Sequence, residues 1–288
     1  MRTTEGGEGQ RVEKIEPWAP PFLRWVGSKR RLIGTLLNLT PTAYDTYYEP
    51  FVGSGAMFLG LRPKAALLSD TNAALVNAYL QVREHPRRIA RWLHQQSLTS
   101  ERYYEIRDAY RGELNRRDAA AHFIYLNRRC YNGVYRTNRA GQFNVPVGKN
   151  TGAIPSEASL YRASVALRSA QIEANDYRKP LARAQPGDFV YLDPPYMSGD
   201  RVTTGEYGTD SDTRIDIAEI AEVARDLSSR GVQVLITHRD DHALQRLLAG
   251  WSRCCESTVV NVRGESAQRS RFDEAIYWNY DTPGPIGR

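Results

Sequence analysis

The stretch Val190-Tyr191-Leu192-Asp193-Pro194-Pro195-Tyr196 leaves the chain few folding choices. A short continuous apolar run, Phe189 to Leu192, reads as a buried strand. Two prolines then remove the backbone donors that a ladder needs, so the strand must stop. The residue before a proline is pushed to extended geometry. The result is a stiff corner at a strand's carboxyl end, where open α/β sheets place their ligands.

Such a corner has a definite chemistry. Asp193 accepts hydrogen bonds from an amino group, and the Pro194 carbonyl accepts a second. Tyr196 offers a flat ring for stacking. The set suits a planar amino-substituted ring such as adenine, whose 6-amino lone pair is delocalised and poorly nucleophilic. Two acceptors on its N–H groups draw that nitrogen toward tetrahedral geometry. An ordinary Asp-Pro-Pro loop is the plainer reading of the same residues.

Two further segments read as parts of a ligand site. In Phe22-Leu23-Arg24-Trp25-Val26-Gly27-Ser28-Lys29, a lysine stands at the start of a helical run, Leu32 to Leu39. The helix dipole disfavours a cation there, so a nearby anion is expected, either a ligand carboxylate or a DNA phosphate. Tyr47 to Gly55 reads as strand, Gly-rich bend, helix. Phe51, Gly53 and Gly55 form the bend, and glycine lets backbone approach a ligand closely. The dinucleotide pattern G-x-G-x-x-G fails at Phe58, which disfavours a nicotinamide dehydrogenase. Ala65 to Leu68 is the next strand, and Asp70 just past it suits either two ribose hydroxyls or a helix cap.

From residue 82 to 185 the strand–helix alternation gives way to helical sequence rich in Arg and Tyr. A basic, aromatic-interleaved insertion between the halves of an α/β sheet reads as a substrate-recognition domain. Asn132-Gly133 and Ala140-Gly141 are turn signals. Between them Val134, Arg136 and Asn138 alternate onto one side of a hairpin, where Arg suits guanine and Asn suits adenine. The same side chains also suit phosphates. The net charge of +6 fits a polyanionic partner.

The remaining sequence excludes other classes. Three cysteines, two of them adjacent, imply no disulfide framework, and no Cys/His spacing resembles a zinc site. No run of about 18 apolar residues is present, so no membrane span is expected. Residues 1–21 are polar, lack the apolar core of a secretory signal and read as a flexible arm. A cytoplasmic, nucleoid-associated protein is the expectation. Met197 to Thr213 reads as a long loop suited to closing over a bound group. Arg263 to Arg271 reads as a phosphate-contacting loop. Ile215–Leu227 reads as a helix. Strands are expected at Val232–Thr237, Ser257–Val262 and Glu274–Trp278.

The ordered chain, from Phe22 to about Tyr280, resembles the Dam family of DNA adenine methyltransferases. The likeness rests on RWVGSK (Arg24–Lys29), EPFVGSG (Glu49–Gly55), LSDTN (Leu68–Asn72), LNRRCYNGVYRTNRAGQFNVPVG (Leu126–Gly148) and YLDPPY (Tyr191–Tyr196), in that family's order. The chain departs at Ser28, where family members usually carry Gly, and at Val134, where Leu is common. The resemblance implies a Rossmann-like methyltransferase sheet, residues 22–81 and 186–281. A mostly helical DNA-recognition domain, 82–185, would be inserted in it. It implies S-adenosylmethionine bound by Trp25, Lys29, Asp70 and Asp193, with Phe51, Gly53 and Gly55 lining the site. It implies catalysis by Asp193, Pro194, Pro195 and Tyr196. Arg24, Tyr131, Asn132, Val134, Arg136 and Pro146 match DNA-facing positions, and Asn138 joins them from the hairpin reading.

The expected reaction is methyl transfer to the adenine 6-amino group of duplex DNA, at GATC or a site containing GAT. The adenine must flip out of the duplex to be reached. The sulfonium leaving group departs neutral, so no metal is expected. A cognate restriction endonuclease is a candidate partner, and the chain is expected to be a monomer or weak dimer. Methylation of the cytosine 4-amino group or of RNA adenine, and a DNA-binding regulator without turnover, are the alternatives.

Overall fold

The computed structural model describes residues 18–111, 115–195, 215–261 and 269–282. Seven strands form one sheet: β1 (Tyr47–Glu49), β2 (Ala66–Asp70), β3 (Ala170–Ala174), β4 (Phe189–Leu192), β5 (Gln233–Arg239), β6 (Ser252–Asn261) and β7 (Arg269–Trp278). Their order is β3-β2-β1-β4-β5-β7-β6. The first five strands run parallel, and β7 is antiparallel to both its neighbours. The fold is α/β, consistent with a Rossmann-like methyltransferase sheet.

Short helices α1 (Ile33–Asn38) and α2 (Ala56–Leu61) flank β1, and α3 (Ala73–Glu84) follows β2. Helices α4 (Pro86–His94), α5 (Ser100–Tyr110), α6 (Arg116–Arg129) and α7 (Glu157–Leu167) lie between β2 and β3 in sequence. Then come α8 (Arg178–Leu181) before β4, α9 (Ile217–Ser229) before β5 and α10 (His242–Leu247) before β6. No described helix is long and apolar enough to cross a membrane.

The sheet divides two cores, and β4 shows why its sequence is continuously apolar. Phe189 and Tyr191 enter one core, with α1 to α7. Val190 and Leu192 enter the other, with Ala221, Ala224 and Leu227 of α9. Alternate residues point to opposite faces, so a strand covered on both sides has no polar position. Helix α9 begins where Asp216 accepts the Ala218 N–H at 2.9 Å. Gly231, at φ +79°, follows its end.

Three differences from the sequence reading stand out. Residues 1–17 lie outside the described range, but Trp18 and Ala19 donate backbone N–H groups to Gly60 and Leu59 of α2 at 3.3 and 3.1 Å. The ordered chain therefore starts before Phe22. Strand β3 lies within the stretch read as helical. Its Ala-Gln-Ile-Glu-Ala sequence is too polar to signal a strand, because it stands at the sheet edge, where partial exposure is tolerated. Strand β6 begins at Ser252, five residues before its expected start, pairing with β7 down to Trp278.

Candidate functional site

Strands β1 and β4 are parallel neighbours, with Tyr47 opposite Phe189 and Tyr48 opposite Val190. Between them the strand order reverses, so their carboxyl ends open the crevice where such sheets bind ligands. The Gly-rich bend leaves β1 there, and the Asp193 corner leaves β4 beside it.

The bend is built on positive backbone angles. Gly53 lies at φ +43° and Gly55 at φ +62°. A side chain at Gly53 would stand 2.8 Å from the Trp25 ring, and one at Gly55 would stand 2.7 Å from the Tyr79 hydroxyl. That hydroxyl donates to the Gly53 carbonyl at 2.9 Å, bracing the bend from below. Gly55 is also the N-cap of α2 and has no side chain to cap with. Glu49, buried at the end of β1, does this work: its carboxyl accepts the Phe58 N–H at 3.1 Å and the Tyr47 hydroxyl at 2.9 Å. Burial pushes Glu49 up to about 8, against the pull of those two donors. Gly55→Ala is expected to destabilise the chain by about 1–3 kcal/mol, through αL strain and the Tyr79 clash, read as a lower melting temperature.

Asp70 stands at the end of β2 and anchors the bend. One oxygen accepts the Gly53 N–H at 3.2 Å, the other the Asn72 N–H at 3.0 Å. Burial pushes its carboxyl up to about 6, opposed by these donors. The cap of α3 belongs to Asn72, which accepts the Leu75 N–H at 3.0 Å. Phe51 rests on Tyr177, ring centroids 5.1 Å apart. The Ser28 hydroxyl bonds that of Ser54 at 2.8 Å and ties the N-terminal segment to the bend.

The corner is held electrostatically. Lys29 Nζ lies 2.7 Å from Asp193 Oδ1 and 3.7 Å from Glu274 Oε2, and donates to the Gly27 carbonyl at 2.9 Å. Thr237, in the carboxyl half of β5, donates its hydroxyl to Asp193 Oδ1 at 3.0 Å and shares a hydrogen bond with the Tyr191 hydroxyl at 2.9 Å. The lysine that looked misplaced at a helix start is only 5% exposed, and the anions beside it are carboxylates of the protein itself. Burial raises the Glu274 carboxyl and Lys29 opposes that shift. Pro194 and Pro195 continue the corner, Pro194 buried and Pro195 half-buried. Tyr196, the Met197–Thr213 loop and residues 262–268 lie outside the described residues.

The hairpin residues gather on one irregular ribbon. Thr137 bridges Phe143, Asn144 donates its N–H to the Arg136 carbonyl at 3.1 Å, and Cys130 bridges Val147. Tyr131, Asn132, Arg136 and Pro146 are exposed, and Val134 is half-buried. Arg136 Nε donates to the Asn144 side chain at 2.8 Å. Asn138 is differently engaged. Its side-chain oxygen accepts the Ala140 and Gln142 N–H groups, each at 3.0 Å, and so closes the turn. Trp25 joins ribbon to bend: its ring stacks on Tyr135, centroids 6.2 Å apart at 22°, and packs against Gly53.

Asp70 and the Gly53–Gly55 bend fit a nucleoside-bearing group, since a strand-end carboxylate beside closely approachable backbone suits a ribose diol. Among the described residues, no group of three or more His, Cys, Asp or Glu is disposed to hold a metal ion. The sequence likens Thr237-His238-Arg239-Asp240 to a short polar motif of the family near the target pocket, but it pairs neither Thr237 nor Glu274 with Lys29 and Asp193. Thr237 carried a signal, being a polar residue at a strand's carboxyl end. Glu274 carried none, because only the antiparallel pairing of β7 with β5 brings it there.

A family model described as D12 class N6 adenine-specific DNA methyltransferase matches residues 25–261. Among similar proteins, the type II methyltransferase M1.LlaDCHI of Lactococcus lactis subsp. cremoris is 32% identical, over 90% of this chain and 95% of its own length. The DNA adenine methylase of Serratia marcescens is 34% identical over 88% of this chain and 96% of its own. That of Escherichia coli (strain K12) is 31% identical over 88% and 93%.

Proposed function

This chain belongs to the D12 class of N6 adenine-specific DNA methyltransferases, and on that premise we propose that methyl transfer takes place between the Gly53–Gly55 bend and the Asp193 corner. The observation that carries this reading is the adjacency of the two, one on β1 and one on β4, across the point where strand order reverses.

S-adenosylmethionine, the donor that this family implies, supplies an electrophilic methyl group on a sulfonium whose leaving group departs neutral. The protein's work is then to bind, orient and place charge. Asp70 takes the ribose hydroxyls, and the glycine bend lets the backbone approach. Asp193 and the Pro194 carbonyl would accept the two amino hydrogens of an adenine flipped from duplex DNA, localising the nitrogen's lone pair, and one of those hydrogens would leave as a proton once the nitrogen carries the methyl group. Tyr196 stacks on the ring. Lys29 and Thr237 fix the carboxylate of Asp193, so that its position does not depend on the substrate.

Arg24, Tyr131, Asn132, Val134, Arg136 and Pro146 face the DNA, and the target is GATC or a longer site containing GAT. The exposure of Tyr131, Asn132, Arg136 and Pro146, and the ribbon they share with half-buried Val134, support this. Asn138 instead shapes the turn that presents them. A cognate restriction endonuclease is a further partner, supported by the likeness to a type II methyltransferase. Methylating a plasmid and digesting it with nucleases that do or do not cut methylated GATC tests the target. Full cleavage by the methylation-sensitive enzyme would refute GATC. Arg136→Ala is expected to cost about 1–3 kcal/mol of discrimination at one base position, measured as kcat/KM on matched and singly substituted duplexes. An unchanged ratio would remove Arg136 from base reading.

A further inference from the structure

Arg24 and the Asn132–Arg136 segment are far apart in sequence, yet one buried side chain holds them together. Asn127, in the last turn of α6, is only 3% exposed. Its side-chain oxygen accepts the Arg24 N–H at 2.8 Å, and its amide donates to the Arg24 carbonyl at 2.6 Å. The same amide nitrogen reaches the Gly133 carbonyl at 3.4 Å. Asn127 thus gives Arg24 the pair of hydrogen bonds that a neighbouring strand would give. Gly133 closes the other side: a side chain there would stand 2.5 Å from Arg24 Cβ, at a backbone φ of +70°. The Arg24 backbone is clamped between Asn127 and the residue that separates Asn132 from Val134.

We propose that Asn127 is a positioning residue for base recognition, setting the register of the Arg24 side chain against Asn132, Val134 and Arg136. The inference rests on the reading of those residues as DNA-facing. The chemistry singles out asparagine. Aspartate has two acceptors and no donor, so it would face the Arg24 carbonyl with a like partial charge. Leucine has neither group, and glutamine is one methylene too long for the same reach. A shift between the two reading segments misplaces side chains relative to base edges. It therefore penalises the correct sequence more than an already mismatched one.

The test uses the full chain and the duplex that the wild type methylates best among GATC and its single-base variants. In Asn127→Asp, discrimination between that duplex and its single-base variants, taken as the ratio of kcat/KM values, is expected to fall about tenfold or more. KM for S-adenosylmethionine is expected to stay within about twofold, since this is well under one kcal/mol. Gly133→Ala presses on Arg24 from the other side and is expected to lower the same ratio. It decides the matter if Asn127→Asp does not fold. In the wild type, the Arg24 amide is expected to exchange with solvent as slowly as core amides. Fast exchange at Arg24 overturns the proposal. So does a folded variant that loses rate equally on all duplexes, which marks a purely structural role. A wild type that methylates no DNA refutes the DNA reading instead, and amide exchange then still tests the clamp.

Discussion

Asp193→Ala is expected to abolish methyl transfer while duplex binding largely survives. Removing one group that acts on developing charge in a preorganised site typically costs on the order of 10²–10³-fold in rate. Asp193 is expected to lie at or beyond that range, because it positions the nucleophile as well as polarising it. The substitution also strips Lys29 of its nearest carboxylate and leaves Glu274 at 3.7 Å. Breaking a buried ion pair by removing one partner is destabilising, so a lower melting temperature is expected too. Asp193→Asn separates the two effects. It retains the size and one acceptor oxygen for Thr237, but loses the charge. Single-turnover transfer of a labelled methyl group, with binding measured by fluorescence anisotropy, checks both variants. Wild-type turnover in either one would end the assigned role, whatever its stability.

Glu49→Ala is expected to be the most damaging substitution for folding among those considered. It deletes the cap that Gly55 is unable to supply and leaves the Phe58 N–H and the Tyr47 hydroxyl without their partner. Losing a cap and orphaning buried donors together cost about 3 kcal/mol. A pH signature accompanies this. The folded value of Glu49, about 8, lies above its ordinary 4.5. The stability from burying a neutral acid is therefore complete below pH 4.5 and is lost as pH rises through about 8. Glu49→Gln keeps an acceptor oxygen and does not titrate. It is expected to match the wild type at pH 4 and exceed it at pH 9, about one unit beyond the folded value. Urea unfolding at both pH values measures this, and equal stabilities at pH 9 would show that burial does not raise the Glu49 carboxyl above its ordinary value.

The parts of the site readable from sequence are those fixed by local chemistry. Two consecutive prolines withhold two ladder donors, so the sequence itself puts Asp193 at a strand's carboxyl end. Gly53 and Gly55 announced a bend for a similar reason, since both adopt angles that side chains resist. Long-range partners were not readable. Lys29 showed that an anion stood nearby, but not that Asp193 and Glu274 supply it. Asn127 sits inside the Leu126–Gly148 motif, yet its work is done on Arg24, 103 residues earlier. Strand β3 escaped notice because an edge strand tolerates a polar sequence. Only hairpin parity places Asn138 with the base readers, and parity says where a side chain points in an ideal ladder. The ladder ends at Asn138, whose N–H reaches the Gln142 carbonyl at 2.9 Å, and its side-chain oxygen turns back to its own loop.

Trp25 touches the Gly53 bend on one side and Tyr135 of the ribbon on the other. On the proposed reading, that single ring borders both the donor site and the DNA surface, which makes it the natural carrier of any coupling between them. Whatever factor a filled donor site adds to the grip on DNA, bound DNA must return to the grip on donor, because both paths end in the same ternary complex. Trimming that ring is the direct way to learn whether the factor differs from one.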